Sequence, residues 1–185
     1  MTKYILHGGF TRPDNELNRT FYEEIARDVP DGGTILLCYF ASQSDDNTEK
    51  FTEDSRRLRE QSRGKNFIFL LADEVGFSDQ LKQADALYIR GGSTPRLLGA
   101  LKKYPNLEEN LNSKTIAGSS AGAYAIGRYS AFHDDESGGK IREAWSPSTS
   151  SCVSLRKHGL AAKSKSAFVS NRACSRFGTR RSKGF

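Results

Sequence analysis

Long hydrophobic runs are missing from this chain. No apolar stretch approaches the roughly 20 residues a helix needs to cross a bilayer. Met1-Thr2-Lys3 leads directly into the short apolar segment Tyr4-Ile5-Leu6, with no signal-peptide pattern. A cytoplasmic protein with no membrane partner is expected. Cysteine is scarce as well. Cys38, Cys152 and Cys174 have no metal-ligand spacing and read as reduced thiols, so neither a metal nor a cofactor is implied. Cys38, within an apolar run, reads as a small buried hydrophobe. Only three histidines are present, His7, His133 and His158, and any imidazole chemistry has to draw on one of them.

Acidic residues are absent after Glu143. All 22 lie in residues 1–143 together with 19 of the 28 lysines and arginines, which leaves that part at −3. Residues 144–185 carry 9 basic residues, ten serines and no acid. The net charge of +6 therefore belongs to this tail, and the mildly acidic body gives no reason to expect a nucleic acid as partner. Two parts follow: a domain over 1–143, long enough to bury a core, and a basic Ser/Arg-rich tail over 144–185.

Within the body, strand patterns alternate with helical ones. A first strand is expected over residues 3–7, and a helix over Asn15 to Val29 with Leu17, Phe21, Ile25 and Val29 at four-residue intervals. Residues 34–40 form a continuous apolar run of the kind buried on both faces of a sheet. A charged helix over about 48–62 and strands over 66–71, 85–90 and 114–117 complete the pattern. Helices between parallel strands imply an α/β fold in three layers, a doubly wound, mostly parallel sheet.

Two strand–turn–helix units carry candidate chemistry. In Thr115-Ile116-Ala117-Gly118-Ser119-Ser120-Ala121-Gly122-Ala123, an apolar strand end meets a small-residue turn of the G-x-S-x-G kind. Such a turn presents its serine, here Ser120, as a nucleophile beside a helix N-terminus, where the Ala121 N–H can face a developing oxyanion. A glycine-rich turn that only packs a helix on a sheet is the plain alternative. In the preceding unit, Asp85 to Arg90 reads as a buried strand and Gly91-Gly92-Ser93-Thr94-Pro95 as a turn opening a helix, capped by Ser93 or Thr94. Parallel strands put both turns on the same sheet edge, so Gly92 can supply a second N–H beside Ser120.

These residues resemble a known family. Tyr88-Ile89-Arg90-Gly91-Gly92-Ser93-Thr94 followed by Gly118-Ser119-Ser120-Ala121-Gly122-Ala123 is similar to the dipeptidase E and cyanophycinase family of serine peptidases, as are Gly8-Gly9 and Cys38-Tyr39-Phe40-Ala41-Ser42. The resemblance covers roughly residues 3–143; Ser93 departs from it, standing where the family more often has asparagine. It implies a flavodoxin-like fold of the class I glutamine amidotransferase type. It also implies Ser120 as nucleophile, the Gly92 and Ala121 amides as oxyanion hole, and a downstream acid and histidine as the rest of a triad. A small peptide is the implied substrate, and a homodimer is compatible with this reading. A non-catalytic or truncated relative keeping only a binding cleft is the competing reading. An esterase of the α/β-hydrolase fold shares the elbow but usually needs a longer chain.

A serine hydroxyl needs an imidazole to accept its proton and a carboxylate to orient that imidazole. His7 ends the first strand and reads as a sheet-edge residue; His133 sits in a polar loop. By position in the family pattern Asp135 is the acid, with Asp134 and Glu136 as alternatives, and His158 lies near the place of the base. The family pattern expects a Gly-Leu-rich turn and an apolar strand after Glu143, where this chain has Ala144-Trp145-Ser146-Pro147-Ser148. The preferred explanation is a reading-frame change, one lost base turning Glu-Gly-Leu codons into Glu-Ala-Trp, in which case His158 matches its position by accident. The alternative is an evolved basic, disordered tail that binds RNA or an acidic partner.

Overall fold

The computed structural model of the 185-residue chain describes residues 1–127, 129–134, 138–143, 151–155 and 172–173. In chain order the elements are β1 (Lys3–His7), α1 (Glu16–Arg27), β2 (Thr34–Cys38), α2 (Asn47–Glu60), β3 (Ile68–Leu71), α3 (Phe77–Gln83), β4 (Ala86–Ile89), α4 (Thr94–Leu101), α5 (Leu107–Asn110), β5 (Thr115–Ser119), α6 (Ala121–Ile126), β6 (Tyr129–Asp134), β7 (Gly138–Glu143), β8 (Ser151–Leu155) and β9 (Arg172–Ala173). The strands of the main sheet run in the order β3-β2-β4-β5-β1-β8-β9; β6 and β7 form an antiparallel pair of their own. From β3 to β8 every pairing is parallel, and only β9 is antiparallel to its neighbour. The sheet extends past residue 143, because β8 pairs with β1 in the register Lys3↔Ser151 to His7↔Leu155.

Alternation along the strands explains the three layers. Leu36, Cys38, Leu87, Ile89 and Ile116 face one side and pack with Phe77, Leu81, Leu97, Leu107 and Ala125 from α3 to α6. Ile35, Leu37, Ala86, Tyr88 and Ala117 face the other and pack with Phe21, Tyr22 and Ile25 of α1 and Leu58 of α2. Both faces of β2 and β4 are thus covered, which is why these strands read as unbroken apolar runs. The architecture is the expected doubly wound α/β fold, consistent with the flavodoxin-like class.

Local chemistry sets the element ends. The Asn15 side chain accepts the Asn18 N–H at 2.9 Å and caps α1. Ser93 caps α4 by accepting the Arg96 N–H at 3.4 Å, with Pro95 in the first turn, where its missing N–H costs nothing. β2 stops at Cys38, two residues before the end of the apolar run, because Tyr39 enters a turn closed by Ser42 N–H on the Tyr39 carbonyl at 2.7 Å. β4 and β1 flank β5, so the Gly91-Gly92 turn after β4 and the Gly8-Gly9 turn after β1 stand on either side of the residue that follows β5. That residue is Ser120. Among the described residues no helix is long and apolar enough to cross a membrane.

Candidate active site

Ser120 sits between β5 and α6 with φ 50° and ψ −115°, a backbone region that L-residues other than glycine rarely enter. Three backbone constraints hold it there. Its N–H donates to the His7 carbonyl of β1 at 2.9 Å, its carbonyl accepts the Tyr124 N–H at 3.0 Å, and α6 begins at the next residue. The bend also needs glycine on both sides. A Cβ on Gly118 would lie 2.5 Å from the Gly122 carbonyl carbon, and one on Gly122 would lie 2.0 Å from the Ile89 carbonyl oxygen. The strand-to-helix turn is a true elbow, and its serine is half-buried at the carboxyl edge of the sheet.

Two further glycines leave room around the side chain. A Cβ on Gly91 would come within 2.7 Å of the Ser120 Cβ and 3.3 Å of its Oγ; one on Gly9 would come within 2.9 Å and 3.5 Å of the same atoms. The turns after β4 and β1 therefore close on Ser120 from both sides. Gly92, at φ 156°, lies against Ala41, whose carbonyl would meet a Gly92 Cβ at 2.2 Å. Of the residues singled out from the sequence, Ser120, Gly92 and Ala121 come to this one edge. Asp135, its alternative Glu136, and His158 lie outside the described residues, and Asp134 closes β6.

His7 is buried at the end of β1. Its ring packs on Phe21 at 4.9 Å between centroids, and its Nδ1 accepts the Gly9 N–H at 3.1 Å. These contacts use the imidazole to shape the Gly8-Gly9 turn. No cluster of three or more metal-ligating side chains occurs among the described residues.

Beneath the elbow lies a polar layer that sequence reasoning missed. Asp54 of α2, with no exposed surface, accepts the Tyr22 hydroxyl at 2.9 Å, the Tyr39 hydroxyl at 3.0 Å and Arg90 Nη1 at 2.9 Å. Arg90 Nη2 also reaches Glu53 at 3.2 Å. Burial pushes the Asp54 carboxyl above its ordinary value, against the opposing pull of Arg90 and the two phenols. Ser119 completes the layer: its Oγ lies 3.0 Å from the Tyr88 hydroxyl and accepts the Gly91 N–H at 3.2 Å. Asp54 was hidden in a helix that reads as merely charged. The one available signal was its spacing of four from Leu58, which places both on the buried face of α2.

Such an arrangement suits acyl transfer. A serine oxygen is presented at the carboxyl edge of the sheet with α6 starting at the next residue, and Gly9 and Gly91 lie against its side chain and leave space for a carbonyl.

Known proteins share the family and the fold of this chain. The family model described as peptidase family S51 matches residues 5–156. Among solved structures, a Listeria monocytogenes EGD-e protein assigned as peptidase E is 21% identical with a TM-score of 0.51; the match covers 68% of this chain and 62% of that one. A peptidase from an acI-B1 actinobacterium is also 21% identical with a TM-score of 0.51, over 76% of this chain and 62% of that one. At this identity the two share a fold with the chain, which spans about three-fifths of their length. No curated protein matches it.

Proposed function

Because the chain belongs to peptidase family S51, we propose that it is a serine-type, dipeptidase E-like peptidase hydrolysing a small peptide or amide through an acyl-enzyme on Ser120. The observation that carries this reading is the conformation of Ser120, held at φ 50° by a backbone hydrogen bond to His7 and walled by Gly9 and Gly91. Strain of this kind costs on the order of 1–3 kcal/mol and is retained where the surroundings over-determine it.

In the proposed mechanism Ser120 Oγ attacks the substrate carbonyl while a histidine takes its proton. The resemblance nominates His158 for that role, with Asp135 orienting it. The Gly92 and Ala121 N–H groups bind the resulting oxyanion. The imidazolium then protonates the leaving amine, and water, deprotonated by the same histidine, releases the acyl group.

A fluorophosphonate probe tests the nucleophile. Labelling mapped to Ser120 and lost in Ser120→Ala supports the reading, whereas labelling that survives the substitution removes Ser120 from the mechanism. A folded wild-type chain that takes no label points to a relative that has kept only the cleft.

A further inference from the structure

The proposed reaction uses the Gly92 N–H but leaves open what aims it. A peptide group between two glycines has no side chain to resist rotation of its plane, so an N–H at that position can face the oxyanion or turn away from it. The peptide joining Gly91 to Gly92 is bounded by two anchors. On its carboxyl side, Ser93 N–H donates to the Ala41 carbonyl at 2.8 Å. On its amino side, Gly91 N–H donates to the Ser119 hydroxyl at 3.2 Å. The first is a backbone contact available to any sequence. The second depends on one side-chain oxygen.

That oxygen is fixed in turn. Ser119 is 2% exposed, and its Oγ lies 3.0 Å from the hydroxyl of the fully buried Tyr88. Burial first, and the nearby Asp54 carboxylate second, hold the Tyr88 phenol protonated. Arg90, immediately before Gly91, is clamped by Asp54 and Glu53. No other hydrogen bond engages Ser119 Oγ among the described residues, and its only reach toward the site is through Gly91.

We infer that Ser119 is a positioning residue: its hydroxyl, held by Tyr88, fixes the Gly91 end of the glycine turn so that the Gly92 N–H stays directed at the oxyanion next to Ser120. Ser119 touches no reacting atom. It acts through the turn, and it couples the nucleophile's own strand, β5, to the loop that supplies the oxyanion donor. The inference rests on the reading of Ser120 as nucleophile and of Gly92 as donor.

The test follows fluorophosphonate labelling over time in the full chain, because the final fraction labelled reports folded protein while the rate reports how well the phosphonyl oxygen is stabilised. Removing an oxyanion donor outright costs about 100- to 1,000-fold, so misdirecting one is expected to slow labelling of Ser119→Ala by about 10- to 100-fold at an unchanged final fraction. The Gly91 amide is expected to exchange with solvent about 10-fold faster in the same variant, while Ile116 in the core of β5 keeps its protection. Labelling of Ser119→Ala at the wild-type rate overturns the inference and leaves the nucleophile reading intact. A wild-type chain that takes no label overturns both. If Ser119→Ala does not fold, Tyr88→Phe decides: it keeps the ring and frees the Ser119 hydroxyl, so a several-fold slower rate supports the inference and a wild-type rate overturns it.

Discussion

Gly122 lies so close beneath Ile89 that a methyl group on its Cα would come within 2.0 Å of the Ile89 carbonyl oxygen. The obstacle is backbone in the middle of a sheet, which cannot step aside as a flexible side chain would. Gly122→Ala is therefore expected to cost about 3 kcal/mol, the upper range for overpacking a core. Urea denaturation measures it; a loss under about 0.5 kcal/mol would mean that α6 does not seat against β4 in this way.

The same elbow predicts an inverse relation between stability and chemistry at Ser120. Glycine adopts φ 50° without the Cβ penalty, so Ser120→Gly is expected to be more stable than wild type by about 1 kcal/mol, strain relief being partly offset by greater freedom in the unfolded chain. Ser120→Ala keeps the Cβ and gains nothing comparable. Paired urea curves for the two variants check this, and equal midpoints would show that the backbone at Ser120 stores no strain.

Arg90 and Asp54 form an ion pair whose side chains are 9% and 0% exposed, so taking away one partner strands the other. Arg90→Met is expected to lose about 3 kcal/mol. The deficit also has a defined pH dependence. Burial already raises the Asp54 carboxyl in the folded state, and loss of Arg90 raises it further. A carboxyl raised on folding contributes stability below its unfolded pKa and loses it as pH climbs through the folded value. The deficit of the variant should accordingly be smallest in mild acid and grow towards neutral pH. Thermal melts of both proteins across that range provide the measurement; a deficit that shrinks as pH rises contradicts the assignment.

Cys38 is fully buried in β2, and burial pushes its thiol up to about 12. Iodoacetamide attacks thiolate, so Cys38 is expected to resist alkylation in the native protein and to react once urea unfolds it. Peptide mapping of the segment around residue 38 distinguishes the two. Rapid native modification would place β2 nearer the surface than described.

How much of this was legible in the sequence depended on how local the cause was. The run over residues 34–40, the four-residue spacing of Leu17, Phe21 and Ile25, and the Ser93-Thr94-Pro95 helix start all express contacts within a few residues, and each led to the right element within two or three positions. The elbow was readable for the same reason: Gly118, Ser120 and Gly122 are neighbours. Strand order was not readable, because no local pattern says that Lys3 pairs with Thr115 on one side and Ser151 on the other. The approach of Gly9 to Ser120 and the Ser119–Gly91 hydrogen bond follow from that order and were hidden with it. Asp54 was hidden differently. Its burial depends on Tyr22, Tyr39 and Arg90 arriving from three other segments to satisfy it.

The place of β1 also constrains how the chain assembles as it is synthesised. β2 pairs with β3 on one side and with β4 on the other, so these three strands can form a small sheet from the residues up to Ile89. β1 has no partner among them: its neighbours are β5 and β8. Its hydrogen bonds therefore wait until Thr115–Ser119 has left the ribosome, and pairings of this sequence separation are slow to close. The backbone hydrogen bond from Ser120 to His7 forms in the same step, so the strained serine acquires its geometry only when β1 finds its place beside β5.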